Sequence, residues 1–578
     1  MRRVTVVRRE PRRDLAGCAS RVVARALAVR GCSSLPDYSL KSLLPPTLGG
    51  LDEAARILAD CIEHDRRIVV VGDFDADGAT GTALAVRGLA GLGAANVQWR
   101  MPDRVRHGYG LGMKLAEECL GDAPAVVVTV DHGISSPHGV ECLRSAGIEV
   151  VVTDHHLPGP EMPRASAIVN PNCPGDPFPS RNLAGVGVMF YTLIAVRGEL
   201  RRRGRTADFR LDSLLDLVAL GTVADLVQLD ENNRRLVHQG LKRIQARRCA
   251  PGIAALLEVA GRNLAHVTAA DLGFVAGPRL NAAGRLDDIS IGIRCLLEDD
   301  FDRAMARAEQ LDALNRERQA IQAGMIETAE RLADDFVAGL AGTAGGFCLH
   351  DPDWHAGVVG LVASRICEKT RRPVVALAPA GEQSGGEPGD SDELKGSCRS
   401  PAGVHMRDLL AELDAANPGL IDRFGGHARA AGLSLASDRL EAFREAFEAR
   451  VQKLEFARDE VLSDGELGAD EFDAETAQAI IDAGPWGQGW EEPLFDGRFN
   501  VLERRVVGGK HLKLILQPVG GGPAMDAIAF RAGDLCHQEL PAPLHVTFRL
   551  ELNRWRGKVV AQLNIQHLVD HLETERRA

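Results

Sequence analysis

Short apolar runs that end in acids or imidazoles mark the first third of the chain. Residues 67–71 lead into Gly72-Asp73-Phe74-Asp75-Ala76-Asp77-Gly78, residues 125–130 into Asp131-His132-Gly133, and residues 148–153 into Asp154-His155-His156. Apolar runs of this kind suit strands buried on both faces of a parallel sheet, and the carboxyl ends of such strands are where open α/β sheets hold ligands. From about 66 to 200 these runs alternate with helical crossovers, the order a parallel sheet requires. Residues 51–64 and 212–220 have helical spacing, and Gly221-Thr222-Val223-Ala224-Asp225 is read as turning out of the second helix. Residues 302–335 form one long amphipathic helix, with Met305, Ala308, Leu311, Leu314, Ile321, Met325, Ala329 and Leu332 in helical register. Such a helix either bridges two domains or serves as the core helix of one. A second α/β unit follows, with a strand at 374–377 and an acidic loop over 380–392. From about 460 the pattern becomes glycine-rich short strands (501–507, 512–516, 544–550 and 559–565), which suggests a small antiparallel barrel.

A chain of 578 residues is too long for one core. The expected organisation is an N-terminal segment (1–60, a short leader plus helices), a parallel-sheet α/β domain (61–300), a linker helix (301–336), a smaller α/β domain (337–455) and a β-barrel domain (456–578). The formal net charge of −12 argues against indiscriminate nucleic-acid binding and leaves room for a local basic channel. Twelve cysteines are scattered with no Cys-x-x-Cys pair, as expected of reduced thiols in a cytoplasmic protein. No run of eighteen apolar residues is present, so no membrane contact is expected. The basic start lacks the apolar core of a secretory signal.

The strand ends carry the chemistry. Asp75 and Asp77 stand two apart, so both can face one ion as the backbone turns at Gly78; Asp131 and His155 end the next two strands, and Asp225 adds a further acid. Carboxylates with one or two imidazoles suit Mn²⁺ or Mg²⁺ better than structural zinc. Two such ions about 3.5–4 Å apart are the usual device for hydrolysing phosphate esters.

The segments 73–78, 131–133 and 154–156, followed by Asp225, resemble the DHH phosphoesterase superfamily, for which the Asp154-His155-His156 triplet is the namesake. Residues 353–365, 396–400 and 425–432 look like its DHHA1 substrate-binding domain. With 102–110 and 277–285 added, the chain resembles the single-stranded-DNA exonucleases of that superfamily over roughly residues 40–570. The resemblance implies Asp75, Asp77, Asp131, His155 and Asp225 as metal ligands for Mn²⁺ or Mg²⁺, two ions in all. Asp73 either ligates through water or shapes the loop. His156 either binds substrate phosphate or orients His155.

A nuclease also needs cationic and amide groups around phosphate. Arg279 and Asn281 are read as projecting from a tight Gly-Pro-Arg-Leu-Asn turn, with Arg285 close by. Gly425-Gly426-His427 is read as a nest whose backbone amides meet an anion. The resemblance adds Arg104, Ser364 and Arg365 as holders of a 5′-terminal phosphate, together with His355, Arg399, Gly426 and His427. Tyr109, Phe74 and Trp354 are the candidate stacking residues. By resemblance the C-terminal part is an oligonucleotide-binding (OB) barrel with Lys510, Lys513, Arg549, Arg554, Arg556 and Lys558 as basic positions. Its opening, residues 484–493, has Trp490-Glu491 where the related motif has Asn-Pro, and it is expected to shape a turn against the neighbouring domain.

The implied reaction is two-ion hydrolysis of single-stranded DNA in the 5′→3′ direction to 5′-mononucleotides, in DNA repair and recombination. The implied partners are a single-strand-binding protein and a RecQ-type helicase, with the chain itself a monomer. The rivals are a small-substrate phosphoesterase, which would have little use for the C-terminal strands, and a non-catalytic DNA-binding scaffold on the same fold.

Overall fold

In the computed structural model, all residues are described except 2, 11–14, 16, 103–106, 108–109, 206–207, 287, 340–344, 381–392, 402, 455–459, 556 and 574–578, together with the side chains of 286, 332–339, 555 and 573. Arg104 and Tyr109, Arg556 and nearly all of the acidic loop lie outside the described residues.

The first strand, β1 (Arg3–Arg8), does not belong to a leader: it runs parallel to two strands from the far end of the chain. The alternation of Val4 and Val6 with polar neighbours lets one face of that strand close a core. The first α/β domain is built on β2 (Ile68–Gly72), β3 (Val97–Arg100), β4 (Val126–Val130), β5 (Glu149–Thr153) and β6 (Ala167–Val169), all parallel in the order β3-β2-β4-β5-β6. The three strands read from sequence are therefore adjacent. Alternate residues of β2 pack oppositely: Ile68 and Val70 join the core with the helix Ala76–Gly91, whereas Val69 and Val71 meet the helices Met113–Gly121 and Pro137–Ser145. Burial on both faces is why these strands are continuous apolar runs.

The helix expected at 212–220 runs Leu215–Ala224 after a 3₁₀ turn, so Gly221 lies inside it. That glycine serves close approach and not a turn. A Cβ there would overlap the Thr80 hydroxyl and lie 2.9 Å from Asp77 Oδ1. The Gly-Pro-Arg-Leu-Asn segment is likewise helical, Gly277–Leu286, entered through the π-helical turn Leu272–Ala276. Pro278, which has no N–H to donate, stands directly after that π-helical turn, where the helical hydrogen-bond register shifts.

The long helix runs Phe301–Gly339 and does bridge. Ala304, Ala308 and Leu311 lie in the core of the first domain, Met325 and Ala329 in that of the middle domain. The middle domain has β7 (Phe347–His350), β8 (Val374–Pro379), β9 (Glu393–Arg399), β10 (Arg423–Gly426) and β11 (Ala430–Ala436) in the order β10-β11-β9-β8-β7, with only β7 and β8 parallel. Separate apolar clusters cover its two faces.

The C-terminal sheet is mixed, not wholly antiparallel. Its strands are β12 (Glu460–Ser463), β13 (Phe495–Val507), β14 (His511–Pro518), β15 (Met525–Ala529), β16 (Leu544–Trp555) and β17 (Lys558–Glu573). Antiparallel pairs β14–β15, β13–β14, β13–β16 and β16–β17 are completed by a parallel β15–β17 pair, so the pairing runs back to β17, and β1 and β12 extend the sheet in parallel. Phe495, Phe499 and Phe548 from this sheet share one continuous core with the first α/β domain. The 484–493 segment makes that junction. Leu229 N–H donates to the Gln488 carbonyl at 2.8 Å, and the Arg234 guanidinium lies 3.8 Å above the Trp490 ring. The tryptophan at the altered position is thus a cation–π seat for an arginine of the first domain.

Candidate metal centre

Asp73, Asp75 and Asp77 follow β2, Asp131 follows β4 and Asp154-His155-His156 follows β5, so neighbouring strands deliver their polar ends to one edge of the sheet. Asp75 is the N-cap of the helix Ala76–Gly91, its Oδ1 accepting from Gly78 N–H at 3.0 Å. Gly78 is required: a Cβ would lie 2.5 Å from the Asp73 nitrogen. Asp77 turns inward, where its oxygens accept from the backbone N–H groups of Gly185 (2.6 Å) and Val186 (2.9 Å), opening the helix Gly185–Arg202. Asp131 holds a left-handed backbone (φ 67°), rare for a residue with a side chain. Gly185 packs so closely on it that a Cβ would lie 2.5 Å from the Asp131 Cβ. Asp225 caps the end of the helix Leu215–Ala224.

These groups converge. His155 Nε2 lies 3.1 Å from Asp131 Oδ1, 3.5 Å from Asp225 Oδ2 and 4.0 Å from Asp77 Oδ2. Three overlapping sets, Asp77–His155–Asp225, Asp73–Asp75–Asp131 and Asp131–His155–His156, each bring ligand atoms within 4.8 Å of one another. Burial, then repulsion from Asp77, Asp75, Asp225 and Asp73, drives the Asp131 carboxyl far above its ordinary range. Burial followed by the Asp75 charge lifts Asp73 to about 8 and Asp77 to about 7. Burial and the neighbouring His156 hold His155 neutral, at about 4.

Two atoms test the fit to a cation. Asp131 Oδ1 and His155 Nε2 are buried, face the cluster and have no hydrogen-bond partner among the described residues. A neutral imidazole hydrogen-bonded to the Leu183 backbone on its other side and crowded, mutually repelling carboxylates are donors that divalent cations neutralise. The residues present fit Mn²⁺ or Mg²⁺.

Asp154 organises the edge without joining it. One oxygen accepts from His155 N–H (2.7 Å), His156 N–H (3.0 Å) and His156 Nδ1 (2.8 Å), and the other from Ile134 N–H (2.9 Å). Burial opposes its ionisation, but these bonds prevail and set it at about 2. The same Asp154 bond, overcoming burial, raises His156. Asn170 and Asn172 donate to the carbonyls of His156 (2.9 Å) and His155 (2.6 Å), fixing the triplet from behind. Sequence reading missed both asparagines, and the signal was an Asn-x-Asn directly after β6. Buried His132 lies 3.1 Å from the Val71 carbonyl through Nε2 and stays out of the cluster.

The expected phosphate wall is only partly assembled. Arg279 spends Nε and Nη2 on buried Asp312 (3.0 and 2.7 Å) and Nη1 on the Val275 carbonyl (2.7 Å), so it is a strut to the long helix and not a free phosphate donor. Asn281 accepts the Ala76 N–H at 2.7 Å. Arg399 binds Ser364 Oγ (2.9 Å), Ser397 Oγ (3.1 Å) and the Cys398 carbonyl (2.8 Å). It lines a cleft of about 570 Å³ shared by Arg285, Gly357, Lys395, Arg423 and Gly425. Arg365 lies beside Glu368 (3.7 Å), and His355 Nδ1 accepts from Gly357 N–H (3.0 Å). Gly426 takes φ 134° in the hairpin, but the His427 N–H is already given to the Ala430 carbonyl at 2.7 Å, so the segment is a strand end and not an open nest. Trp354 is buried, which removes it as a stacking platform, and Phe74 is partly buried against the core. Phe274 was missed. At 79% exposure it is the barest large apolar side chain among the described residues. With Leu226, the neighbour of Asp225, it lines a groove of about 550 Å³ running to Trp486 and Arg549 of the C-terminal domain.

Comparison with known proteins agrees with this layout. Three family models match: the DHH family N-terminal domain over 67–222, the DHHA1 domain over 338–453 and the RecJ OB domain over 463–567. The chain is 47% identical to the single-stranded-DNA-specific exonuclease RecJ of Dickeya dadantii, over 98% of this chain and 99% of that one. It is 46% identical to the Escherichia coli RecJ over 95% of each. The crystal structure of Thermus thermophilus RecJ in complex with Mn²⁺ superposes with a TM-score of 0.80 at 31% identity, covering 99% of this chain and 80% of that chain. With its DHH, DHHA1 and OB domains in this order, the chain belongs to the RecJ family.

Proposed function

We propose that the protein is a single-stranded-DNA-specific exonuclease that hydrolyses phosphodiesters from the 5′ end and releases 5′-mononucleotides, in DNA repair and recombination. The observation that carries this reading is the buried cluster of Asp73, Asp75, Asp77, Asp131, His155 and Asp225, with orphaned Asp131 Oδ1 and His155 Nε2 at its centre. These six residues would hold two Mn²⁺ or Mg²⁺ ions. When bound, such ions supply water activation and neutralise charge building on the phosphate oxygens. The protein's own work is to hold those ligands aligned. Asp154 fixes both histidines, and its bond to His156 raises that ring, which would meet a phosphate oxygen at the cluster's edge.

The cleft of Arg399, Lys395, Arg285 and Arg423 supports a grip on the 5′-terminal phosphate, to which Ser364, Arg365, His355, Gly426 and His427 would contribute. The apolar groove with Phe274 and Leu226 supports a path for bases of the remaining strand toward the C-terminal sheet, since aromatic faces stack bases without sequence preference. That sheet shares its core with the catalytic domain, which favours a polymer substrate over a dinucleotide. We place the protein in the cytoplasm as a monomer that meets a single-strand-binding protein and a RecQ-type helicase. No helix among the described residues is long and apolar enough to cross a membrane. The test is product analysis on 5′-phosphorylated single strands labelled at either end, with Mn²⁺ or Mg²⁺. Early release of a 5′-labelled mononucleotide is expected; internal fragments or first release of the 3′ label would refute the polarity.

A further inference from the structure

The loop that carries Asp75 is held from outside by one helix, Gly277–Leu286. The first N–H groups of a helix have no partner within it and must be satisfied from elsewhere. Asp75 satisfies Gly78 N–H, and the Ala76 N–H is taken by Asn281 Oδ1 at 2.7 Å. Three residues further along, Gly284 packs on the other flank of Asp75, so closely that a Cβ would overlap the Phe74 carbonyl oxygen. Residues 74 and 76 are therefore both set by this helix, and Asp75 lies between them. The helix is itself anchored by Arg279 to Asp312 of the long helix and by Arg285 Nη1 to the Gly357 carbonyl of the middle domain at 3.1 Å.

We propose that Asn281 is a positioning residue of the cation site: it places Asp75 through the Ala76 amide and does not contact DNA. This inference rests on the reading of the cluster as a two-cation nuclease centre. Loss of the acceptor leaves the N–H of buried Ala76 unsatisfied and lets the 73–77 loop drift. Cation affinity and turnover then fall together, while the grip on the strand stays as it was.

The test compares Asn281→Leu, which removes the acceptor at similar volume, with Asn281→Asp, which keeps one. Four readouts are taken on the full chain: Mn²⁺ affinity without DNA by electron paramagnetic resonance, amide exchange of the 72–80 peptide, binding of single-stranded DNA without divalent cations, and kcat with KM. For Asn281→Leu we expect Mn²⁺ affinity and kcat each to drop about 10- to 100-fold, as for loss of a group orienting a ligand. Exchange at 74–78 should quicken, with DNA affinity and KM unchanged. Asn281→Asp should recover most of the loss. A rise in KM and weaker metal-free DNA binding at unchanged Mn²⁺ affinity would make Asn281 a substrate contact and overturn the proposal. A lowered Tm with unaltered Mn²⁺ affinity and kcat would overturn it too, as a purely structural role. Should the wild-type protein cut no single strands, the nuclease reading falls, and the Mn²⁺ and exchange readouts still decide the place of Asn281.

Discussion

The cation edge and the phosphate cleft are built by opposite rules. At the edge, Asp73, Asp77, Asp131 and Asp154 are fully buried, and backbone amides fix the acids, as with Asp77 on Gly185 and Val186 or Asp154 on His155 and His156. In the cleft, Arg399 is held by side-chain hydroxyls from two elements, and its neighbours Lys395 and Arg423 remain open to solvent. A buried cluster of like charges is high in energy until cations neutralise it, so it is pre-organised at a cost that the rest of the fold carries. A wet cleft is cheaper and more forgiving. Substitutions at the edge should therefore stop chemistry, whereas substitutions in the cleft should loosen binding by graded amounts.

The largest effect that would sharpen this contrast is steric. In Gly185→Val the added Cβ would fall 2.5 Å from the Asp131 Cβ, so Asp131 must move. A displacement of about 1 Å at reacting groups costs on the order of 100-fold. We expect at least that loss in kcat with KM little changed, measured by steady-state release of mononucleotides. Equal losses in kcat and strand binding would show that the edge and the cleft are not separable. Next is Asp154→Asn, which keeps the shape but weakens the acceptor that aligns both histidines; about 10- to 100-fold in kcat is expected. His156 should also titrate lower by NMR, because the bond that raises it is weakened.

In the cleft, Arg399→Ala should raise KM for 5′-phosphorylated strands about tenfold, the size of one charge-assisted bond to phosphate. Turnover should be unaffected. An unphosphorylated 5′ end should show no such penalty, and a fall in kcat instead would move Arg399 into the chemistry.

The smallest effect concerns pH. In the protein without cations, burial lifts Asp73 to about 8 and Asp77 to about 7 from the ordinary 3.8. Carboxyls raised on folding stabilise fully below the unfolded pKa and lose that contribution as pH climbs to the folded value. The cation-free protein should thus lose stability between about pH 4 and pH 8. Cations bind the ionised groups, so Mn²⁺ should raise Tm more at pH 8 than at pH 5. An equal shift at both pH values, by scanning fluorimetry, would detach the carboxylates from the cation site.

The contrast also explains what could be read from sequence. The edge was legible because its ligands other than Asp225 stand within a few residues of a strand end, so local pattern and function coincide. The strand and bridging-helix elements were legible for the same reason. Arg279 was not, because its fate depends on Asp312, thirty-three residues away on another helix. Gly221 and the 277–281 segment were misread as turns, since glycine for close packing looks the same in sequence as glycine for a turn. The strand β1 escaped because its partners β12 and β17 lie at the other end of the chain. Phe274 carries no local mark at all: only the fold shows that its ring stays bare in the groove it shares with Leu226.

The claim that the buried edge cuts while the cleft grips is tested most directly by Asp131→Ala, with cleavage and strand binding measured on the same 5′-phosphorylated single strand. We expect cleavage to be abolished with Mn²⁺ or Mg²⁺ while affinity for the strand stays within about threefold, below half of one tenfold step in binding free energy. Near wild-type cleavage by that variant would contradict the assignment of the edge as the catalytic centre.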